Sequence, residues 1–509
     1  MVQHNEEQQA VISAAPHITV KMPLKVKAFA GAGKTTTLVG VAQAMQSRGG
    51  YFAFNREIAR EAQQKFRNTG CTASTMHALA LSVMRPFLNG GPVSGISIQD
   101  IRKHDVFARK TWPRVVGFSE FHLALAVSNT MKAFAQSDDP GFRLSHAHQA
   151  LHRKTGDPDL MVQGLRKEKA LRVRKQLERP LAEAARDLWK ALCKQGVYTH
   201  DMYLKALDYS DDLRHQAFSR FSYLMVDEAQ DINPVQRSIL TKASRPLIAV
   251  GDSYQQIYMW RGAENTLDTW SGKTLHLTQS FRFDESIAAI ARRILASRPD
   301  GGPAERLTGV GSGKTPVGWD GPMEALICRS NMGVIDAAIT QMDDNRPVVV
   351  DNVKDLLKDL RSAEALRDND LEKVESPAFK GFESWEELEQ EAEEGDQTLK
   401  KVVNLVKRNR VGIVGRLNAL ATDVKRAGTD AVFVCTAHRS KGLEFPIVTL
   451  GEDWKSISKM RAIFEKARTK TQKDACVEEW NALYVAATRA MVALEQVDRV
   501  FETEGRSRR

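Results

Sequence analysis

Cysteine is scarce in this chain. Five residues (Cys71, Cys193, Cys328, Cys435 and Cys476) are scattered over 509 positions without a C-x-x-C pair. That suggests neither a disulfide framework nor a cysteine-based zinc site, and it fits a reducing compartment. No apolar run reaches the roughly 18 residues of a membrane span. The amino terminus, Met1-Val2-Gln3-His4-Asn5-Glu6-Glu7, is too polar for a signal peptide. The expectation is a soluble cytoplasmic protein, nucleoid-associated if prokaryotic. Acidic residues are the minority charge: 63 Asp and Glu against 73 Lys and Arg leave a formal net charge of +10. A basic excess favours a polyanionic partner, nucleic acid above all, or serves solubility alone. Composition is otherwise globular, 42% hydrophobic and 27% charged. The length allows about three or four domains.

One glycine-rich string occurs twice. Gly31-Ala32-Gly33-Lys34-Thr35 and Gly311-Ser312-Gly313-Lys314-Thr315 stand about 280 residues apart. Such a turn cradles phosphate only between a strand and a helix. There the backbone N–H groups converge, the helix N-terminus adds its positive end, and the hydroxyl reaches Mg²⁺. The first copy has this setting: Lys25-Val26-Lys27-Ala28-Phe29 alternates like a strand, and Thr36 to Met45 reads as a helix. The second sits among Gly301, Gly302, Pro303, Gly309, Pro316 and Gly318, with no strand leading in and a proline against any helix. The first reads as a nucleotide site, the second as a loop.

Short apolar runs alternate with helical patterns in two blocks. Tyr51–Phe54, Leu224–Val226 and Leu247–Val250 join the strand before Gly31; Ala325–Cys328, Val432–Cys435 and Ile447–Leu450 form the second set. Continuous apolar strands imply α/β architecture, with parallel sheets flanked by helices and ligands at the strands' carboxyl ends. Two insertions interrupt the blocks. The expected division is 1–85 with 215–275, a helical basic insertion at 86–214, a second block at 276–335 with 425–509, and a shorter, partly acidic insertion at 336–424. Within the first insertion Arg166, Lys167, Lys169, Arg172, Arg174, Lys175 and Arg179 crowd together, as a contact to a duplex or an entering strand or, equally, as a solvated face. Within the second, Trp385 to Glu394 is an acidic helix-like run between Gly381 and Gly395, read as a solvated face. His146, His148 and His152 have no cysteine or carboxylate cluster beside them in sequence, so no metal site is expected there.

Asp227-Glu228-Ala229-Gln230-Asp231 follows a strand ending at Val226. A carboxylate at a strand tip beside a phosphate loop can hold the Mg²⁺ that bridges β- and γ-phosphates. The adjacent Glu228 is placed to deprotonate an attacking water.

Together these runs resemble the UvrD/Rep/PcrA group of superfamily 1 DNA helicases, and within it the compact F-box-helicase-like members. Asn5 to Ile12 is similar to the family's Q motif and Ala28 to Thr35 to motif I. Phe52-Ala53-Phe54-Asn55-Arg56 resembles motif Ia, Thr75 to Leu79 motif Ib, and Asp227 to Asp231 motif II. Gly251 to Ala263 is close to motif III, Ser280-Phe281-Arg282 to motif IV, Thr436 to Phe445 to motif V, and Tyr484 to Ala490 to motif VI. The motifs stand in family order over residues 5–490.

The resemblance implies two RecA-like P-loop NTPase domains, named 1A and 2A in the family, with the two insertions 1B-like and 2B-like. Mg-ATP would bind between them and single-stranded DNA across their top. It implies Lys34, Asp227, Glu228, Gln255, Arg282 and Arg489 as catalytic residues. Gln8, Gly31, Ala32, Gly33, Lys34, Thr35, Thr36, Phe281 and Glu444 would hold ATP, with Thr35 and Asp227 on the metal. Gln8 would read adenine, Phe281 stack on it, Glu444 meet the ribose and Gln255 sense the γ-phosphate. Arg282 and Arg489 would reach the γ-phosphate from the second block, where the planar guanidinium matches phosphate oxygens. Phe54, Tyr258 and Trp260 would stack on bases; Asn55, Arg56, Thr75, His77, Arg261, Thr436 and His438 would meet the DNA backbone.

The implied activity is ATP-dependent 3′–5′ helicase and single-strand translocase, acting as a monomer on single strands and duplex junctions, in DNA repair or recombination. The rivals are a translocase that strips proteins from DNA and unwinds poorly, and a nucleotide-switched DNA-binding scaffold with vestigial hydrolysis. Departures from the family pattern are Ala28 for the first P-loop glycine, Thr36 where relatives commonly have Arg, and the short insertion before motif V. With Arg489 only 20 residues before the last, no nuclease domain like that of nuclease-fused relatives is expected.

Overall fold

The strands form where Val, Ile, Leu and aromatic residues run together, and their ends are set by glycine and polar residues. A computed structural model describes residues 3–89, 93, 95–115, 120–153, 167–259, 262–301, 306–319, 321–351, 353–376, 379, 382, 384–393, 397–407 and 429–502. Trp260, Arg261, Gly302, Pro303, Gly381, Gly395, the tail from Gly505 to Arg509, and the side chains of His152 and of Arg166 to Arg174 lie outside the described residues.

Among the described residues, six parallel strands make a first sheet: β1 (Leu24–Ala28), β2 (Gly49–Ala53), β3 (Cys71–Thr75), β4 (Tyr223–Val226), β5 (Leu247–Gly251) and β6 (Lys273–Leu277), in the order β3-β2-β4-β5-β1-β6. Helices Glu6–Ala14, Lys34–Met45 and Arg56–Lys65 cover one face, where Val11, Leu38, Val41 and Ala59 pack on Val26, Tyr51, Met225 and Ile248. Helices Met76–Met84, His200–Tyr209, Asp211–Phe218 and Pro234–Lys242 cover the other, over Phe52, Leu224, Val226 and Ala249. Both faces being buried explains the unbroken apolar runs of β2, β4 and β5. β3 and β6 lie at the sheet's edges and carry polar residues, so their sequence does not announce them.

A two-stranded pair, β7 (Gln279–Ser280) and β8 (Thr308–Gly309), leads to a second parallel sheet. Its strands are β9 (Glu324–Cys328), β10 (Val348–Val350), β11 (Val432–Thr436), β12 (Phe445–Leu450) and β13 (Ala490–Glu495), ordered β10-β11-β9-β12-β13. Alternation divides its side chains. Ala325, Ile327, Phe433 and Cys435 pack with Ile287, Trp480 and Leu483, and Phe29, Ala30 and Ile257 of the first block share that core. Leu326, Cys328, Val432 and Val434 face the other way.

Two expected boundaries move. β10 lies within the span assigned to the second insertion, yet it pairs in register with β11, Val348 opposite Val432. The insertion therefore begins after Val350. Its helices Val353–Arg367, Trp385–Glu393 and Gln397–Lys407 lie down on the second sheet, burying Leu357, Leu360, Leu388, Val402 and Val406. The acidic run is thus amphipathic: Leu388 and Ala392 are buried and Glu386 is exposed. In the first insertion, helices Glu120–Gln136, Leu144–Arg153 and Lys167–Lys194 share a core of Leu123, Val127, Leu151, Leu181 and Leu188. Tyr203, Leu204 and Leu207 instead enter the first block's core, so the helix His200–Tyr209 belongs to that block.

Candidate nucleotide and nucleic-acid site

β1 runs into the first glycine string, where Gly31 and Gly33 both have φ of +73°. Glycine occupies this region without steric cost. Gly33 precedes the helix Lys34–Met45, so the unpaired N–H groups of the first turn and its positive end face the loop. Thr35 is half-buried and Thr36 exposed. Gln8 caps its own helix: its backbone N–H donates to Asn5 Oδ1 (2.8 Å) and its Oε1 accepts from the Asn5 N–H (3.1 Å). Its Nε2 lies 2.7 Å from where a Cβ on Gly33 would stand. Phe281 is 46% exposed beside the same glycine. An open aromatic face beside a glycine-rich loop leaves room for a planar ring to stack.

Beyond β4 the chain turns at Glu228 with φ of +52°, a left-handed conformation that costs a non-glycine residue on the order of 1–3 kcal/mol. The turn directs Glu228 at the loop, where its Oε1 accepts from Lys34 Nζ at 2.6 Å. Gln230 Nε2 donates to Glu228 Oε2 at 2.6 Å. Lys441, from the second block, donates to Asp231 and to the Gln255 carbonyl (2.8 Å), and lies 3.6 Å from Glu228 Oε2. Burial pushes the Glu228 carboxyl up, but the Lys34 and Lys441 ammonium groups outweigh it and hold it well below the usual carboxylate range. Burial wins at Asp231, pushed up to about 6 despite Lys441. Burial and the neighbouring Glu228 charge raise Asp227.

Asp227 is held by the Tyr51 hydroxyl, which donates to Oδ2 at 2.6 Å, and by the Glu228 N–H, which donates to Oδ1 at 2.9 Å. Asp231 Oδ1 is buried without a hydrogen-bond partner among the described residues. A strand-end carboxylate, a loop hydroxyl at Thr35 and surplus buried carboxylate oxygen suit a hard cation such as Mg²⁺, which takes few protein ligands plus phosphate and water.

The second block closes this site. Arg489, only 2% exposed, donates to the carbonyls of Val485 (3.0 Å) and Leu443 (3.2 Å) and to Gln255 Oε1 (3.1 Å). Burial and the Arg282 charge pull it down to about 9, which leaves it cationic at neutral pH. Gln255 Nε2 donates in turn to Asp252 Oδ2 at 2.7 Å. Arg282 donates to Glu444 Oε2 (2.9 Å) and to the Thr488 carbonyl (2.8 Å). The Tyr484 hydroxyl accepts from the Ala30 N–H at 3.2 Å and donates to Asp252 Oδ2 at 3.3 Å. Residues far apart in sequence thus converge on one cleft at the carboxyl ends of β1 and β4.

On the neighbouring face, Phe54 and Tyr258 stack on each other, centroids 5.0 Å apart at 20°. Tyr258 donates to the His438 carbonyl at 3.1 Å, and Lys441 Nζ lies 5.5 Å from its ring centroid. Lys441 therefore touches both the aromatic shelf and the carboxylates. Thr75 and Thr436 match: each ends a strand, β3 or β11, and caps the helix that follows, accepting from the N–H of Ala78 (3.1 Å) and Arg439 (3.4 Å). Asn55 caps the helix Arg56–Lys65 through Ile58 (2.8 Å), with Arg56 exposed. His77 lies 3.9 Å from Asp201, next to His200, whose imidazole is lowered by burial and by the His77 and Arg56 charges. Backbone N–H groups at capped helix starts beside imidazoles and an arginine suit phosphate.

Sequence reasoning missed Lys441, Tyr484 and Asp252 as individuals, although each lies within a motif run. It missed Tyr51 altogether, because nothing marks a strand tyrosine whose partner is 176 positions away. His146 and His148 face different carboxylates, Asp139 (3.0 Å) and Glu178 (2.7 Å). Against expectation a short strand, β8, does lead into the second glycine string, but a turn at Val317 and Gly318 follows it rather than a helix, and Lys314 is exposed.

Glu478, accepting from the Met259 N–H at 3.3 Å, is pushed by burial up to about 7. Between its ordinary 4.5 and about 7 the folded chain binds more protons than the unfolded one, so stability falls as pH rises through that window. Glu478→Gln is expected to melt above the parent at pH 8 and level with it at pH 4.5. Thermal melts at both values check this; equal melting at pH 8 would refute it.

The chain matches the UvrD/REP helicase N-terminal domain over residues 4–269 and the UvrD-like helicase C-terminal domain over residues 165–495. It is 28% identical over 515 residues to F-box DNA helicase protein 1 of Schizosaccharomyces pombe, covering 92% of this chain and 54% of that protein. It is 27% identical over 511 residues to F-box DNA helicase 1 of Gallus gallus, covering 92% and 47%. Against DNA helicase IV of Escherichia coli, identity is 28% over 324 residues, covering 54% and 45%. The chain spans about half the length of these curated relatives. No described helix is long and apolar enough to cross a membrane.

Proposed function

This chain belongs to the UvrD-like helicase family, and from that premise we propose that it is an ATP-driven translocase and helicase moving 3′ to 5′ on single-stranded DNA. The observation that carries this reading is Arg489. A buried guanidinium from the second block meets Gln255 of the first at 3.1 Å, beside the glutamate that Lys34 holds. An arginine supplied across a cleft stabilises phosphoryl-transfer charge only when the two sides close. Hydrolysis is then coupled to relative motion of the blocks.

ATP lies between the blocks, its adenine on Phe281 beside Gln8 and its ribose by Glu444. Incoming phosphate takes Lys34 from Glu228. Glu228, released, orients and deprotonates the attacking water. Mg²⁺ at Asp227 and Thr35 would neutralise charge on the bridging phosphate oxygens. Arg282 and Arg489 face the γ-phosphate, and Gln255 reports its presence through Arg489. Lys441 carries the state of the carboxylates to Tyr258, and so to a DNA base stacked there.

Strand displacement on 3′-tailed, 5′-tailed and blunt duplexes tests this directly. Unwinding of the 3′-tailed substrate alone is expected. Preference for the 5′ tail would overturn the polarity. Protein displacement without unwinding would favour the stripping translocase, and ATP turnover unmoved by single-stranded DNA would favour the scaffold.

A further inference from the structure

The second glycine string has no phosphate to hold, yet its glycines are pressed against something. β8 and the residues after it lie along the segment Ser280 to Asp284. Thr308 N–H donates to the Thr278 carbonyl (3.1 Å), Val310 N–H to that of Ser280 (2.8 Å) and Gly311 N–H to that of Phe283 (2.9 Å). A Cβ on Gly309 would collide with the Asp284 carbonyl; one on Gly311 would stand 2.7 Å from the Phe283 nitrogen. Backbone meets backbone here, so no side chain can swing aside. From the opposite side, the first glycine string grips the same segment. The Gly31 carbonyl accepts from the Phe281 N–H at 2.9 Å, and a Cβ on Gly31 would stand 2.7 Å from Arg282 Cβ.

The geometry points to the Gly309–Gly313 strip as the outer jaw of a clamp whose inner jaw is the phosphate loop, with Gly311 a positioning residue for Arg282. The clamped segment carries Phe281 and Arg282 on a fixed backbone between two glycine strips. Its position is thereby referred to the loop that holds phosphate, and Arg282 needs no search when ATP arrives. A misplacement near 1 Å costs on the order of 10²-fold in rate when it moves a group out of its productive geometry. Glu285 supports the outer jaw by accepting from the Gly309 N–H at 3.1 Å. Lys314 takes no part: its side chain is exposed, and the strip's backbone contacts come from Thr308, Val310 and Gly311.

The inference rests on the proposed ATPase, and a double-mutant cycle with single-stranded DNA and ATP separates the two. Gly311→Ala is expected to lower kcat by on the order of 10²-fold, with DNA binding retained. In an Arg282→Ala background the same substitution should cost nothing further, because its effect runs through that arginine. Glu285→Ala, at an exposed position, should give a smaller loss that also vanishes in that background; it carries the test if Gly311→Ala does not fold. Lys314→Ala should match the parent. Unchanged kcat in Gly311→Ala, or losses that simply multiply in the double variants, would overturn the clamp. A parent chain without DNA-stimulated turnover would instead overturn the ATPase reading beneath it.

Discussion

Glu228→Gln is expected to end DNA-stimulated ATP turnover while ATP still binds. Glutamine keeps the size and one acceptor oxygen of the side chain but cannot take a proton. General-base catalysis supplies roughly 10²–10⁴-fold, so kcat should fall by about that factor. The ion pair adds a second, opposite effect. Lys34 is held by Glu228 at 2.6 Å, and phosphate must compete with that carboxylate. Without the charge the competition weakens, so a fluorescent ATP analogue should bind more tightly than to the parent. Lys34→Ala loses turnover too, but with weakened nucleotide binding. The pair of variants therefore separates the base from the phosphate ligand. Full turnover in either one would remove the residue from the site.

Arg489→Lys should lower ATP turnover by about 10³-fold or more, the range set by an arginine supplied across a cleft. Lysine keeps the positive charge, so the change isolates geometry from electrostatics. The guanidinium reaches Val485, Leu443 and Gln255 together; an ammonium on a flexible stem cannot hold that planar spread. Single-stranded DNA should bind as before, because Arg489 is buried and its partners are Val485, Leu443, Gln255 and Thr488 rather than Phe54 or Tyr258. A loss of less than tenfold, measured beside circular dichroism of the folded variant, would make Arg489 an interior support instead.

Much of the cleft could be read from the chain because its chemistry is local in sequence. A strand, a glycine turn and a helix stand in order around Lys34, and Asp227 with Glu228 follows an apolar run. The interior strands could be read for the same reason: burial on both faces demands an unbroken apolar stretch. The edges could not. Cys71-Thr72-Ala73-Ser74-Thr75 pairs on one side only and tolerates polar residues. β10 is three valines inside a span whose length suggested an insertion, and only its pairing with β11 assigns it. Contacts such as Tyr51 to Asp227 or Gly311 to Phe283 join positions that no local pattern links. The second glycine string shows the point most clearly. Its spelling is that of a phosphate loop, but spelling fixes only that the backbone can be approached closely. What approaches is decided by the fold.

Thr75 and Thr436 each end a strand and cap the helix that follows; in the proposed motor each would offer the same kind of handhold for an anion, on bodies that ATP would draw together and release. A strand passed from one handhold to the other would be gripped by its phosphates, which repeat at equal intervals whatever the bases are. The stride of such a walker is counted in backbone units, and its gait should be indifferent to the text it walks along.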